Sequence, residues 1–320
     1  MRAPIRLGLQ LPSFTFPGVA PEELFEQLAA IAHTAEMSGF DSLFVMDHLH
    51  QIPGVGPPTN SMLEGNTILA ALAARTEHVS LGLMVGAVTY RNPALHAKIT
   101  TTLDVISGGR AIHAVGAAWF EDEHRAYGFD FPPLKERFEL LEDALEIARR
   151  MFTQDEASFE GRHFRVDGAL NKPRPIRGDI PILVGGSGER KTLKLVARHA
   201  DACNVFGDPG RVRHLMGVLD AHCEDAGRNP AEITRTRLGT LVIAETHEEA
   251  QRLLESWPDR ANLDPERLRM VLTLGTPDEV AEQVRALLDA GLDGLVYHLP
   301  NPWDLDAVAL AGETLTRAVG

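Results

Sequence analysis

Asp47, His48 and His50 stand together in SLFVMDHLH, residues 42–50. A carboxylate and two imidazoles within four residues can place a ligand, move a proton or bind a metal ion. The HxH spacing puts both rings on one side of an extended strand end. Metal-dependent hydrolases use such pairs when further histidines and an acid complete the set. Here only His298 and Asn204 stand at comparable later places. No complete ligand set is legible, and no metal is expected.

A second stretch, ILVGGSGERKTLKL, offers anion chemistry through Gly185, Gly186, Ser187 and Gly188. Glycines between a strand and a helix expose backbone N–H groups, and the helix start adds positive potential. Lys172, Arg174, Arg177, Arg190, Lys191, Lys194 and Arg198 flank this loop in sequence, against Asp179 and Glu189. A phosphate site is expected there. It is not a Walker loop, because Arg190 stands where that motif needs Gly before Lys191-Thr192. No GxGxxG follows a strand, which disfavours a Rossmann dinucleotide site. Ser187 has no GxSxG context, which argues against a nucleophilic serine. Glu121, Asp122, Glu123 and His124 read as the solvated first turn of a helix, where the dipole favours acids.

The elements that position these residues alternate short apolar strands with amphipathic helices, the mark of parallel βαβ units. Strands are expected at 5–11, 42–46, 79–85, 111–115, 181–184, 202–205, 238–244 and 295–298. Helices are expected at 21–38, 66–74, 94–107, 134–152 and 189–200, with another opened by the capping box Thr276-Pro277-Asp278-Glu279. Eight strand–helix units predict a TIM barrel with its chemistry at the strands' carboxyl ends. Residues 157–160 and 163–166, around Gly161-Arg162, predict an inserted β-hairpin between units four and five. A single domain spanning 1–320 is expected.

Composition bounds the function. Of 320 residues, 44% are hydrophobic and 24% charged, and the net charge of −14 disfavours a nucleic-acid binder. No run approaches the ~18–20 apolar residues of a membrane span. Cys203 and Cys223 are too far apart for a CxxC motif. A reduced, cytoplasmic protein acting on a small molecule is expected.

Four stretches carry a resemblance: AEMSGFDSLFVMDHLH, VTYRNPALHAKITTTLDVISGGRAIHAVGAAWFEDEHRAYGFDFPP, PILVGGSGERKTLKLVARHADACNVFGDP and GTPDEVAEQVRALLDAGLDGLVYH. In this order, and with the hairpin ASFEGRHFRVDGA, the chain resembles the bacterial luciferase-like monooxygenase superfamily, above all its coenzyme F420-dependent branch. The resemblance implies a barrel holding a reduced deazaflavin or FMN at its carboxyl-terminal mouth. It implies Asp47 beside the ring system and His48 in proton transfer. It places a non-prolyl cis peptide near Gly86-Ala87-Val88, behind the ring. Gly116, Ala117 and Ala118, with Gly185, Gly186, Ser187 and Gly188, match the segments around the ribityl chain and phosphate. Relatives that oxidise sugar phosphates carry Glu where this chain has Trp119, so a sugar phosphate is not expected. Trp119, Phe14 and Phe16 suggest an apolar pocket instead.

The resemblance implies hydride transfer between the deazaflavin and an organic substrate. Its alternative is a two-component monooxygenase fed with reduced FMN by a separate reductase. It also allows a homodimer formed through barrel helices.

Overall fold

The computed structural model describes residues 3–257 and 264–320. Its strands are β1 (Leu7–Leu11), β2 (Ser42–Val45), β3 (Ser80–Leu83), β4 (Gly86–Ala87), β5 (Ala111–Gly116), β6 (Ala157–Glu160), β7 (Arg165–Ala169), β8 (Ile182–Gly185), β9 (Ala202–Val205), β10 (Thr234–Ile243), β11 (Leu272–Gly275) and β12 (Gly294–His298). Every residue of β1, β2, β3 and β5 is buried. Such strands read as continuous apolar runs because side chains fill one face and helices cover the other. β1 pairs in parallel with β2 and β12, and the order continues through β3, β5, β8 and β9. β10 pairs with β9 on one side and β12 on the other, which closes an eight-stranded TIM barrel.

The outer helices are α1 (Leu24–Ser38), α2 (Gly65–Ala73), α3 (Pro93–Ser107), α4 (Glu121–Tyr127), α5 (Leu134–Thr153), α6 (Thr192–His199), α7 (Pro209–Asp225), α8 (His247–Ser256), α9 (Pro265–Val271), α10 (Pro277–Leu288) and α11 (Leu305–Val319). The capping box of Thr276 and Glu279 forms as expected, with Pro277 in the first turn of α10. Inside the barrel, Phe44, Ile112, Ala114, Leu183 and Val296 form one apolar cluster, topped by Met84, Val85 and Leu238. Those three top residues become the floor of the site described below. A larger cluster fills the layer between barrel and helices. Burying one leucine such as Leu9 or Leu69 there contributes ~2 kcal/mol.

Several expectations need correction. The third strand breaks into β3 and β4 around a cis Met84–Val85 peptide, so the cis bond lies upstream of Gly86–Val88. The hairpin turn spans 161–164 rather than two residues, because the buried Asp143 carboxylate accepts from the amides of His163 (2.8 Å) and Phe164 (3.1 Å). β10 begins at Thr234, four residues early, and its far half pairs with the unforeseen β11 once β9 has ended. The helix expected from Glu189 starts at Thr192, which lengthens the glycine loop. Phe14 and Phe16 sit in the core, Phe16 against Trp303, and neither lines a cavity of the site.

Candidate active site

β2 delivers Asp47 to the mouth of the barrel at 3% exposure. Its carboxylate takes a two-pronged grip from Arg91: Nη1 donates to Oδ2 at 2.7 Å and Nη2 to Oδ1 at 2.8 Å. The Ala87 amide adds a third bond at 2.9 Å. Burial pushes the carboxyl upward from its ordinary value, against the opposing pull of Arg91 and the Ala87 N–H. Arg91 also donates to Glu64, whose carboxylate caps α2 through the Thr67 amide at 2.7 Å. Asp47 is therefore the hub that ties the end of β2 to β4 and the start of α2. Arg91 was present in the sequence but not singled out; nothing in its spacing announces a partner 44 residues away.

His48 hydrogen bonds through Nδ1 to Glu123 Oε1 at 2.6 Å. The other Glu123 oxygen accepts from the Leu49 amide at 2.8 Å and the His50 amide at 3.4 Å. Burial alone would raise this carboxyl, but the bonds from His48, Tyr90 and the Leu49 amide outweigh it and hold it below the ordinary range. An acceptor at Nδ1 assigns the proton to that nitrogen and leaves Nε2 to meet a bound molecule. This corrects the reading of 121–124 as a solvated turn. Glu121 and Asp122 are exposed, whereas Glu123 and His124 are buried, at 0% and 1% exposure. His124 anchors the turn by donating from Nδ1 to the Phe120 carbonyl at 2.7 Å and accepting the Thr89 hydroxyl at Nε2, 2.6 Å away. A helix of seven residues shows too little periodicity to reveal its inner face in sequence.

Two cavities meet at His48. One of about 300 Å³ is lined by Asp47, Gly86, Ala87, Gly116, Ala117, Ala118, Gly185 and Gly186, with Asn204 and Thr192. The other, of about 370 Å³, is lined by Gln10, Met46, Val55, Thr240, Trp257 and His298 among others. His48, Met84, Trp119, Phe206 and Leu238 belong to both. Trp119 meets the His48 ring edge-on at 5.5 Å and stacks on Phe120 at 5.2 Å.

Small residues keep the first cavity open. A Cβ at Gly116 or Gly185 would come within 2.9 or 2.8 Å of the Val85 side chain. Gly186 has φ +128°, a left-handed conformation that L side chains rarely adopt. Ala118 has φ +59°, and Arg137 holds that turn by donating to the Ala117 and Ala118 carbonyls at 3.2 and 2.5 Å. A slot walled by glycine and alanine beside a glycine loop fits a flat ring system with a phosphate-bearing arm.

Other expected residues lie elsewhere. Ser187 accepts the Phe206 amide at 2.8 Å, and neither it nor Gly188 lines the slot; Thr192 does. Val88 is buried behind the slot, bonded to the Gly116 carbonyl at 3.1 Å. Lys172 and Arg174 pair with Asp155, and Arg177 lies by Gly109. These three precede β8 and so stand at the opposite mouth from its glycine loop. His50 turns away from His48 to pack on Tyr127 at 5.3 Å. Among the described residues no group of three or more His, Cys, Asp or Glu is placed to hold a metal. Cys203 and Cys223 are both buried and unpaired with each other. Among them, too, no helix is long and apolar enough to cross a membrane.

The luciferase-like monooxygenase family model matches residues 5–294, and the chain belongs to that family. An F420-dependent glucose-6-phosphate dehydrogenase from Nakamurella multipartita is 30% identical over 342 residues, covering 98% of this chain and 96% of that relative. An F420-dependent secondary alcohol dehydrogenase, solved with an F420–acetone adduct, superposes with a TM-score of 0.83 at 20% identity over 100% of both chains. A monooxygenase from Streptomyces bottropensis gives 0.81 at 22% identity, over 99% of this chain and 100% of its own. At those identities the two structures show a shared fold.

Proposed function

We propose that the chain is an F420-dependent oxidoreductase acting on an uncharged alcohol or carbonyl compound. The observation that carries this reading is His48, held by a buried carboxylate, at the junction of two cavities. The glycine- and alanine-walled cavity would hold the cofactor, with Asp47 fixing its wall and the Gly185–Gly188 loop near its phosphate. When bound, reduced F420 supplies a hydride from its deazaflavin C5.

The protein's own part is proton handling and placement. In the reducing direction a doubly protonated His48 would give its Nε2 proton to the carbonyl oxygen of a substrate in the second cavity. In the oxidising direction the neutral ring would accept the hydroxyl proton at the same nitrogen. Glu123 keeps the ring oriented and stabilises it when charged, the part a carboxylate plays beside a general-base histidine. Met84, Trp119, Phe206 and Leu238 line both cavities around His48 and give the junction apolar walls.

The substrate class follows from the second cavity. Its described lining is largely apolar, and its polar groups, Gln10, Thr240, His48 and His298, include no Lys or Arg. Among the described residues, a phosphate there would meet no neutralising cation. His298 bonds Thr240 through Nε2 at 2.9 Å, and burial lowers it to about 4, so it stays neutral. Its enclosed Nδ1 has no partner among the described residues. A neutral hydroxyl or carbonyl suits these groups.

The rival is a monooxygenase using reduced FMN, which the fold also accommodates. Relatives named for F420 at 30% identity over nearly the whole chain support the deazaflavin. Fluorescence titration of the purified protein with each cofactor tests this: micromolar F420 affinity without FMN binding is expected, and the reverse overturns it.

A further inference from the structure

We infer that a cation-lined groove beside the cofactor slot binds the glutamate tail of F420. This rests on the F420 reading above. Beyond its phosphodiester, F420 ends in a chain of glutamates, a row of carboxylates that FMN lacks.

The groove, of about 330 Å³, brings together Lys135 of α5, Arg162 of the hairpin turn, and Arg190, Lys191, Lys194 and Arg198 around α6. Only two carboxylates, Glu139 and Glu142, line it with these six cations. Lys135 and Arg162 share Glu139, at 3.9 and 3.3 Å, and Arg198 meets Glu142 at 3.6 Å. The Lys191 ammonium sits 5.1 Å over the Phe138 ring. Among the described residues Arg190 and Lys194 have no ion-pair partner. Three separate parts of a chain with net charge −14 thus converge like charges on one place, an arrangement that self-repulsion disfavours until an anion enters. Position names the anion. Phe138 lines both the groove and the cofactor slot, and Arg190 and Lys191 directly follow the glycine loop. A chain leaving the phosphate would enter the groove first. The inserted hairpin gains a role here, since its turn supplies Arg162.

The test compares binding, by fluorescence quenching, of glutamate-bearing F420 and the form without glutamates. The tailed form is expected to bind about tenfold tighter at low salt, the scale of a few exposed charge pairs. The gap should close at about 0.5 M salt. In the double variant Lys135→Glu/Arg162→Glu, on α5 and the hairpin turn away from the glycine loop, the tailed form should fall to the tail-less affinity. An unchanged tail-less affinity in that variant shows the slot and fold intact. Equal affinities in the wild type, or a gap that survives in the variant, overturn the groove. Failure of both deazaflavins where FMN binds overturns the cofactor reading and the groove with it.

Discussion

At the scale of single residues, the proposed chemistry reduces to one histidine and the carboxylate behind it. Replacing His48 with Asn removes the group that moves the proton but leaves the slot walls in place. Turnover should fall about 10²–10⁴-fold, with F420 affinity within about threefold of wild type; steady-state kinetics and titration check the pair. Glu123→Gln keeps a hydrogen bond at Nδ1 but removes the charge that stabilises the protonated ring. Its kcat should drop roughly tenfold to a hundredfold, the worth of a hydrogen bond to a charged group. His48 was legible in sequence because it follows an apolar strand at a barrel mouth. Glu123 was not. Its neighbours Glu121 and Asp122 are ordinary solvated acids, and nothing in the spacing of the three marks the third as the one that faces inward.

At the scale of elements, the site depends on strand ends being tied to one another. Asp47→Ala leaves Arg91, 12% exposed in its side chain, with Glu64 as its remaining anion. Stability should fall by about 3 kcal/mol, read from the urea midpoint, together with weaker cofactor binding as β4 loses its anchor. Gly186→Val meets two obstacles, the left-handed backbone and the Thr192 methyl 3.3 Å from the new Cβ. Cofactor affinity should fall at least about tenfold. The eight barrel strands and the helices of the first units were readable from their patterns because barrel burial imposes them, whereas α7, α8 and α9 were not named. The break between β3 and β4, the longer β10 and the extra β11 were not readable, since each depends on what a neighbouring strand does. The loop proposed to meet a phosphate was legible in its glycines, but sequence nearness grouped with it three cations, Lys172, Arg174 and Arg177, that precede β8 and belong to the other mouth.

At the scale of the whole molecule, buried neutral histidines make stability depend on pH. Burial, with help from Arg149, holds His113 at about 3, and burial holds His298 at about 4. In the unfolded chain both titrate near 6.5. Between those values the unfolded state binds more protons, so this stability is complete above pH ~6.5 and is lost as pH falls. Going from pH 7 to 5 should cost on the order of 2 kcal/mol per histidine. Urea unfolding at both pH values measures it. His113→Asn should remove its share of the slope; stability that is flat or rises on acidification contradicts the assignment. On the proposed function, the barrel brings a flat cofactor slot and an apolar substrate cavity to a shared proton carrier. The most direct measurement of that claim is anaerobic turnover. Protein loaded with reduced F420 is mixed with uncharged ketones or with a sugar phosphate, and cofactor reoxidation is followed in wild type and His48→Asn. The account predicts reoxidation by ketones without oxygen, little by the sugar phosphate, and a rate at least about a hundredfold lower in the variant. Reoxidation that requires oxygen and proceeds equally without His48 would contradict it.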